Sequence, residues 1–366
     1  MNLFFRYVAC LFIILCICQA AKSQHLLNQV RAMQSPPLVY SALKIFEPIL
    51  IDGKEDPVWQ RAPWSSEFID IEGSHQQTPS YSTRFKMLWD DNNLYILAVL
   101  QEPHIWATLK QRDAIIYQDN DFEVFIKPKH SAPWYYEIEV NALNTIMDLM
   151  MPKPYRFGGH ALLQWDVKNL QSAVHIEGSL NSPKDIDQQW TVEMAIPFAS
   201  LAHFAGPQRP SPNDYWRINF SRVQWQHDIF HDSYFKKKID NKPLPENNWV
   251  WSPIGVINMH LPERWGFLHF SCDQEPAQLP PYYRIEKMAW NIHYLQNIHK
   301  HKHQSFTSDI KLLEGYDDFL AEDTAKYDIQ LTVSENGQFY HLRLEDKMLN
   351  YIFTIDNYGN YTTNYE

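Results

Sequence analysis

Asp121–Pro128 reads DFEVFIKP, and its alternation decides the fold. Phe122, Val124 and Ile126 fall on one face of an extended chain, while Glu123, Phe125 and Lys127 fall on the other. A period of two belongs to a β-strand with one side against a core. The stretch YYEIEVNAL repeats the scheme, with Tyr136, Ile138 and Val140 opposite Tyr135, Glu137, Glu139 and Asn141. Trp190/Val192/Met194/Ile196 and Trp216/Ile218/Phe220 extend it along the chain. In RFKMLWDDNNLYILAVL, Asp90 to Asn93 separate two apolar runs with residues that tolerate turn conformations, which predicts a hairpin. Many short strands and no long helical period before about residue 280 predict a mainly β fold, an antiparallel β-sandwich.

The texture then changes. Ile285, Met288, Ile292, Leu295 and Ile298 recur three to four apart, the spacing of an amphipathic helix. Strand-like runs follow, joined at Glu335-Asn336-Gly337 and Asn357-Tyr358-Gly359. This reads as a small C-terminal α+β appendage. The expected organisation is a signal peptide over 1–23, a linker over 24–39, the sandwich over 40–272 and the appendage over 273–366.

The chain has 366 residues, 45% hydrophobic and 14% aromatic, enough to bury a full core. A net charge of -11 argues against nucleic acid as a partner, because phosphate-tracking surfaces concentrate lysine and arginine. Arg6, an apolar run from Tyr7 to Cys18 and small residues before Gln24 read as a secretory signal cleaved after Ser23. No transmembrane segment is expected after cleavage. Export follows, to the periplasm, the cell surface or the medium. Losing Arg6 and Lys22 leaves 30 basic against 43 acidic residues, a net of -13, and Cys272 is the sole cysteine left, so an internal disulfide is excluded.

Several segments carry a family likeness in their order: ILIDGKEDPVWQRA (49–62), LWDDNNLYILAVL (88–100), YQDNDFEVFIKP (117–128), YYEIEVNALNT (135–145), WTVEMAIPFASL (190–201), WRINFSRV (216–223) and NWVWSPIGVINMHLPERWGFLHF (248–270). The chain resembles the carbohydrate-binding module family 9-like (CBM9-like) proteins exported by gut and soil bacteria, over about residues 40 to 272. The resemblance implies an immunoglobulin- or jelly-roll-like sandwich that holds a sugar in a cleft, with structural Ca2+ in many members, and a role in polysaccharide catabolism beside glycoside hydrolases. Two aromatic platforms of the family fall on Tyr117 and Trp251, and a hydroxyl-binding carboxylate on Glu123. Glu139 stands where relatives carry arginine, and Tyr117 replaces a tryptophan. Flat rings flanked by carboxylates suit an oligo- or polysaccharide, whose rings have apolar C–H faces and polar rims.

Each position has a structural reading beside the functional one. With Trp251 facing ligand, Trp249 and Trp265 would fasten the loop to the sandwich; in the structural reading Trp251 is a core plug or a lid on a strand end. Glu123, Glu137 and Glu139 could be the solvent side of the sheet. Arg156 in KPYRFGG could reach ligand or pair with one of those three glutamates, the ion pair ranking first. Asp119, Asn120, Asp121 and the Asp90-Asp91 turn offer calcium ligands or turn bonds. His299 and His303 share a helical face, as a metal pair or a polar helix end. No catalytic motif such as GxSxG, HExxH or a phosphate-binding glycine loop is present, so no catalysis of its own is expected. Two alternatives stand: a haem-binding electron-transfer sandwich using Met259, His260 and Met194, and a protein-interaction module with a lost sugar site.

Overall fold

The computed structural model describes residues 21–128, 130–202, 209–273 and 278–364. The chain forms two compact units. One comprises Pro36–Lys129 and Trp134–Leu279; the other joins the segment ending at Ser35, His130–Pro133 and Pro280–Glu366.

The first unit is mainly β. Its strands are β1 (Val39–Lys44), β2 (Ile69–Asp70), β3 (Thr83–Trp89), β4 (Asn93–Gln101), β5 (Asp121–Lys127), β6 (Tyr135–Asn141), β7 (Ile146–Met151), β8 (Gln171–Glu177), β9 (Gln189–Pro197), β10 (Tyr215–Gln224), β11 (His227–Phe230), β12 (Ser233–Lys236), β13 (Lys238–Ile239), β14 (Lys242–Pro243), β15 (Asn247–Val250) and β16 (Gly266–Ser271). One hydrogen-bonded path runs β7-β6-β5-β10-β16-β1-β3-β4-β9-β8, with β15 beside β10 and β2 beside β15. The sheet curls, so that the rings of Phe85 of β3 and Phe220 of β10 meet at a tilt with centroids 4.0 Å apart although β16 and β1 lie between their strands. Phe68, Phe122 and Trp251 complete this aromatic core. Aromatic rings bury large areas and prefer such tilted and edge contacts.

The mainly β class agrees with the alternation, and the hairpin at Asp90–Asn93 closes as predicted, Asp90 Oδ1 accepting from the backbone N–H of Asn92 and Asn93. A purely antiparallel arrangement does not hold: β1 pairs in parallel with both β16 and β3. Parallel neighbours need long connections, which the segments after β1 provide.

The IDGKEDPVWQ stretch has a packing role. Glu193 of β9, fully buried, accepts from the backbone N–H of Asp52 and Gly53 and from Trp59 Nε1, each at 2.9 Å. Gly53 has φ +83°, and a Cβ there would lie 2.7 Å from the His175 nitrogen, so the close approach needs glycine.

In the second unit, residues 21–32 form helix α1 and Tyr283–His303 form α2. The strands β17 (Asp328–Val333), β18 (Tyr340–Asp346), β19 (Tyr351–Asp356) and β20 (Tyr361–Thr363) make an antiparallel meander. Helix α2 buries Ile285, Met288, Ile292, Leu295 and Ile298, and Trp290 meets Phe353 and Tyr361 edge-on. The linker expected over 24–39 is instead largely the end of α1, because Leu27, Val30 and Met33 recur at helical spacing and are buried. Of the signal-peptide reading, residues 1–20 lie outside the described residues, and 21–23 are helical, within α1. No described helix is long and apolar enough to cross a membrane.

Candidate functional site

Strands β5 and β6 place the carboxylates. Glu123 faces Glu139 across the ladder, Asp121 faces Asn141, and Phe125 faces Glu137, so Asp121, Glu123, Glu137 and Glu139 share one side. The core side of the same strands carries Phe122, Val124, Ile138 and Val140. The solvent-side reading of these glutamates is corrected by the structure: all four acids are buried. Loops that alternation cannot see cover this face.

One cover is the loop before β5. The Tyr117 N–H donates to Glu139 Oε2 at 2.9 Å, and the Tyr117 carbonyl accepts from Trp225 Nε1 at 2.8 Å. The Tyr117 ring stays 42% exposed. A second is the turn Tyr155–Phe157, closed by Gly158 in the left-handed region at φ +77°. Tyr155 is 47% exposed, and its hydroxyl is pushed up by burial and then by the charges of Glu137 and Glu139. A third is the loop ahead of β16. His260 Nδ1 and Tyr135 Oη are hydrogen-bonded at 2.7 Å, and the His260 ring lies 4.6 Å from that of Tyr155.

Burial sets the electrostatics. Desolvation pushes Glu123 up to about 7 and Glu137 up to about 8, with Glu123's own charge adding to the rise at Glu137. Asp121 and Glu139 are raised well above the carboxylate range by burial and by their acidic neighbours. Ser221, opposite Glu123 on β10, hydrogen-bonds that carboxylate and opposes the shift. Burial lowers His260 to about 4, helped by Arg156.

Tyr117, Glu123 and Glu139 therefore meet at one place. Arg156 lies beside it but is engaged: Nη2 pairs with Glu263 at 2.7 Å and Nη1 donates to the His260 carbonyl. The ion pair expected with Glu123, Glu137 or Glu139 is corrected: it forms with Glu263 of the aromatic loop. Trp251 is corrected as a ligand platform. It is 2% exposed, its ring meets Phe85 and Phe220 edge-on, and its backbone N–H donates to the Phe220 carbonyl. Phe220 is on the core side, whereas Ser221 is on the carboxylate side, so Trp251 and Tyr117 cannot sandwich one ring. Trp251 also borders a cleft of about 670 Å³ with Tyr40, Trp64 and Asp273, but it presents no free ring face there.

Trp265 is fully buried against Phe125 and Tyr135, with Nε1 on the Met259 carbonyl. Trp249 is buried too, and with Tyr81, Trp225 and Gln224 it lines a polar cleft of about 390 Å³. Asp119 accepts from Thr108, Leu109 and Asn141, and Asp90 closes its turn, so both are absorbed by local bonds. Met194 sits on β9 between β4 and β8, many strands along the path from β6, and does not join His260. The rings of His299 and His303 lie 4.3 Å apart on α2. Tyr155 is the residue that sequence reasoning passed over; its neighbour Arg156 and the following Gly-Gly were the available signal.

Residues 51–212 match the family described as carbohydrate family 9 binding domain-like. That family is a binding, non-catalytic module. Among curated proteins, the chain is similar to endo-1,4-beta-xylanase A of Thermoanaerobacterium saccharolyticum, 31% identical over 96 residues, which is 26% of this chain and 8% of the enzyme. The chain thus matches under a tenth of that enzyme's length. Among solved structures it is similar to a protein from Bacteroides uniformis, with TM-score 0.47 and 14% identity over 64% of this chain and 100% of that one. A family 9 carbohydrate-binding module from Caldicellulosiruptor kristjanssonii in complex with cellotriose gives TM-score 0.39 and 16% identity over 67% of this chain and 98% of that one.

Proposed function

Because residues 51–212 match the carbohydrate family 9 binding domain-like family, we propose that this chain binds an oligo- or polysaccharide without transforming it, at the face of β5 and β6. One observation carries the placement: two half-exposed tyrosines, Tyr117 and Tyr155, border the same buried carboxylates inside the matched region. Their rings offer flat apolar surface to sugar C–H faces, and Glu123, Glu137 and Glu139 accept from hydroxyls. The pairing of Tyr117 with Tyr155 takes the place of the expected pairing with Trp251. The two halves of the curled sheet that meet at Phe85 and Phe220 act as the layers of the family's sandwich. Export and action beside glycoside hydrolases in polysaccharide catabolism belong to the same reading; the N-terminal sequence and the family support them.

The test is a glycan array with the full chain, Tyr117→Ala and Tyr155→Ala, each checked for native melting. Binding to a defined glycan set that both substitutions weaken supports the reading. Binding indifferent to both moves the site elsewhere, and a folded chain that binds no glycan leaves a protein-interaction module in front.

A further inference from the structure

Two histidines on the last turns of α2 face one another in the second unit. His299 and His303 are four residues apart on the helix, and their rings lie 4.3 Å centre to centre at an interplanar angle of 34°. His303 is exposed and His299 is half-buried. The Leu312 carbonyl hydrogen-bonds the His299 ring. A carbonyl can accept only from a ring N–H, so the second nitrogen of a neutral His299 keeps its lone pair. Metal-binding imidazoles are held in this way, by a backbone carbonyl or carboxylate on the nitrogen that does not ligate. Burial, and next the charge of His303, lower His299 from its ordinary value and favour the neutral ring.

The surroundings suit a cation. The pair sits where α2 ends, and a helix C-terminus carries partial negative charge from carbonyls without intrahelical partners. The lysines beside it are engaged: Lys302 pairs with Glu314 at 3.0 Å and Lys300 donates to the Gln304 carbonyl at 2.8 Å. Ring spacing then selects the metal. An ion held at about 2.0–2.1 Å by one nitrogen of each ring lies about 3.2 Å from each ring centre. Centres 4.3 Å apart subtend about 85° at it, close to the right angle between neighbouring positions of a tetragonal ion and well short of a tetrahedral angle. We propose that His299 and His303 chelate one divalent transition-metal ion of tetragonal preference, copper(II) or nickel(II), with water in its remaining positions. Of the two, copper binds nitrogen ligands more tightly. The site lies in the second unit and is independent of the saccharide reading.

The test titrates the full chain, without a histidine tag and stripped with chelator, with Cu2+ and separately with Ni2+. Calorimetry reads the affinity, and electron paramagnetic resonance of the copper form counts the coordinated nitrogens. Binding through two imidazole nitrogens is expected, with a rise in melting temperature because the ion ties together two turns of folded helix. His303→Ala, at an exposed position, and His299→Ala should each weaken binding about tenfold or more and remove one of the two nitrogens. His301→Gln, two residues from either ligand and on another face of α2, should leave affinity and spectrum unchanged. Copper held no more tightly by the parent chain than by His303→Ala would overturn the site, and so would a loss in His301→Gln as large as that in His303→Ala. Either outcome would leave the pair as a polar helix end. No glycan enters the titration, so this site and the saccharide reading can each fail without the other.

Discussion

The ring of Trp251 occupies the space that Gly266 leaves open: a Cβ on Gly266 would lie 2.4 Å from Trp251 Cζ3 and 3.0 Å from the Leu38 carbonyl oxygen. The aromatic loop is thereby locked to the first residue of β16. Asn219 holds the same loop, its side chain donating to the Ser252 carbonyl and accepting from the Ser252 N–H. Gly266→Ala should therefore overpack the core and cost about 1–3 kcal/mol, and Trp251→Ala should open a cavity worth about 3–5 kcal/mol. Urea unfolding checks this: the midpoints should fall in that order at unchanged slope. A Trp251→Ala protein with native stability and lost glycan binding would instead restore the tryptophan as a platform.

A buried ion pair at the other end of β10 sets a second expectation. Arg222 Nη2 meets Glu102 Oε2 at 3.0 Å with the side chains 1% and 2% exposed. Arg222 also donates to the Gln101 carbonyl, Thr83 Oγ1 and Gln224 Oε1. Burial depresses the guanidinium and raises the carboxyl, and each partner opposes the shift of the other. Removing one charge strands the other, so Glu102→Gln or Arg222→Met alone should cost about 3–5 kcal/mol, whereas the double substitution should cost less than the sum. A double-mutant cycle in urea measures the coupling, and additive losses would refute a linked pair.

Glu193 gives a third. Its two oxygens collect three N–H donors, from Asp52, Gly53 and Trp59. In Glu193→Gln one oxygen becomes an amide that faces donors with a donor. The expected loss is about 1–3 kcal/mol, with a shift in Trp59 fluorescence as the indole N–H or the turn lets go. Unchanged stability and emission would show that the turn is held by its own backbone.

What could be read from the sequence was local. Alternation in DFEVFIKP and YYEIEVNAL located β5 and β6 and put Glu123 and Glu139 on one face, because side-chain period is a property of a single strand. Burial of that face was not legible: it depends on the Tyr117 loop, the Tyr155 turn and the His260 loop, which reach it from far along the chain. Trp251 misled for the same reason, since its core partners Phe85 and Phe220 lie on strands that only the curl brings together. The parallel pairing of β1 has no hairpin to announce it. Family motifs were informative about position, as with Gly53, Trp59 and Glu193, but that Glu193 of WTVEMAIPFASL receives the donors of the far-off IDGKEDPVWQ stretch was not legible.

His260 makes stability depend on pH in a definite direction. Burial, and next the Arg156 charge, lower it from 6.5 to about 4. In the unfolded chain it regains an ordinary histidine value, so between these limits the unfolded state binds more protons than the native state. Stability then rises with pH: the contribution is complete above about 6.5 and is lost as pH falls toward about 4. The slope from this group is at most about 1.4 kcal/mol per pH unit, or roughly 3 kcal/mol across the window. His260→Gln keeps a polar partner for Tyr135 Oη and removes the titration. Urea midpoints at neutral pH and near the lower limit should therefore differ less in His260→Gln than in the parent chain. An equal acid loss in both would assign the pH dependence to other groups and contradict a neutral, buried His260.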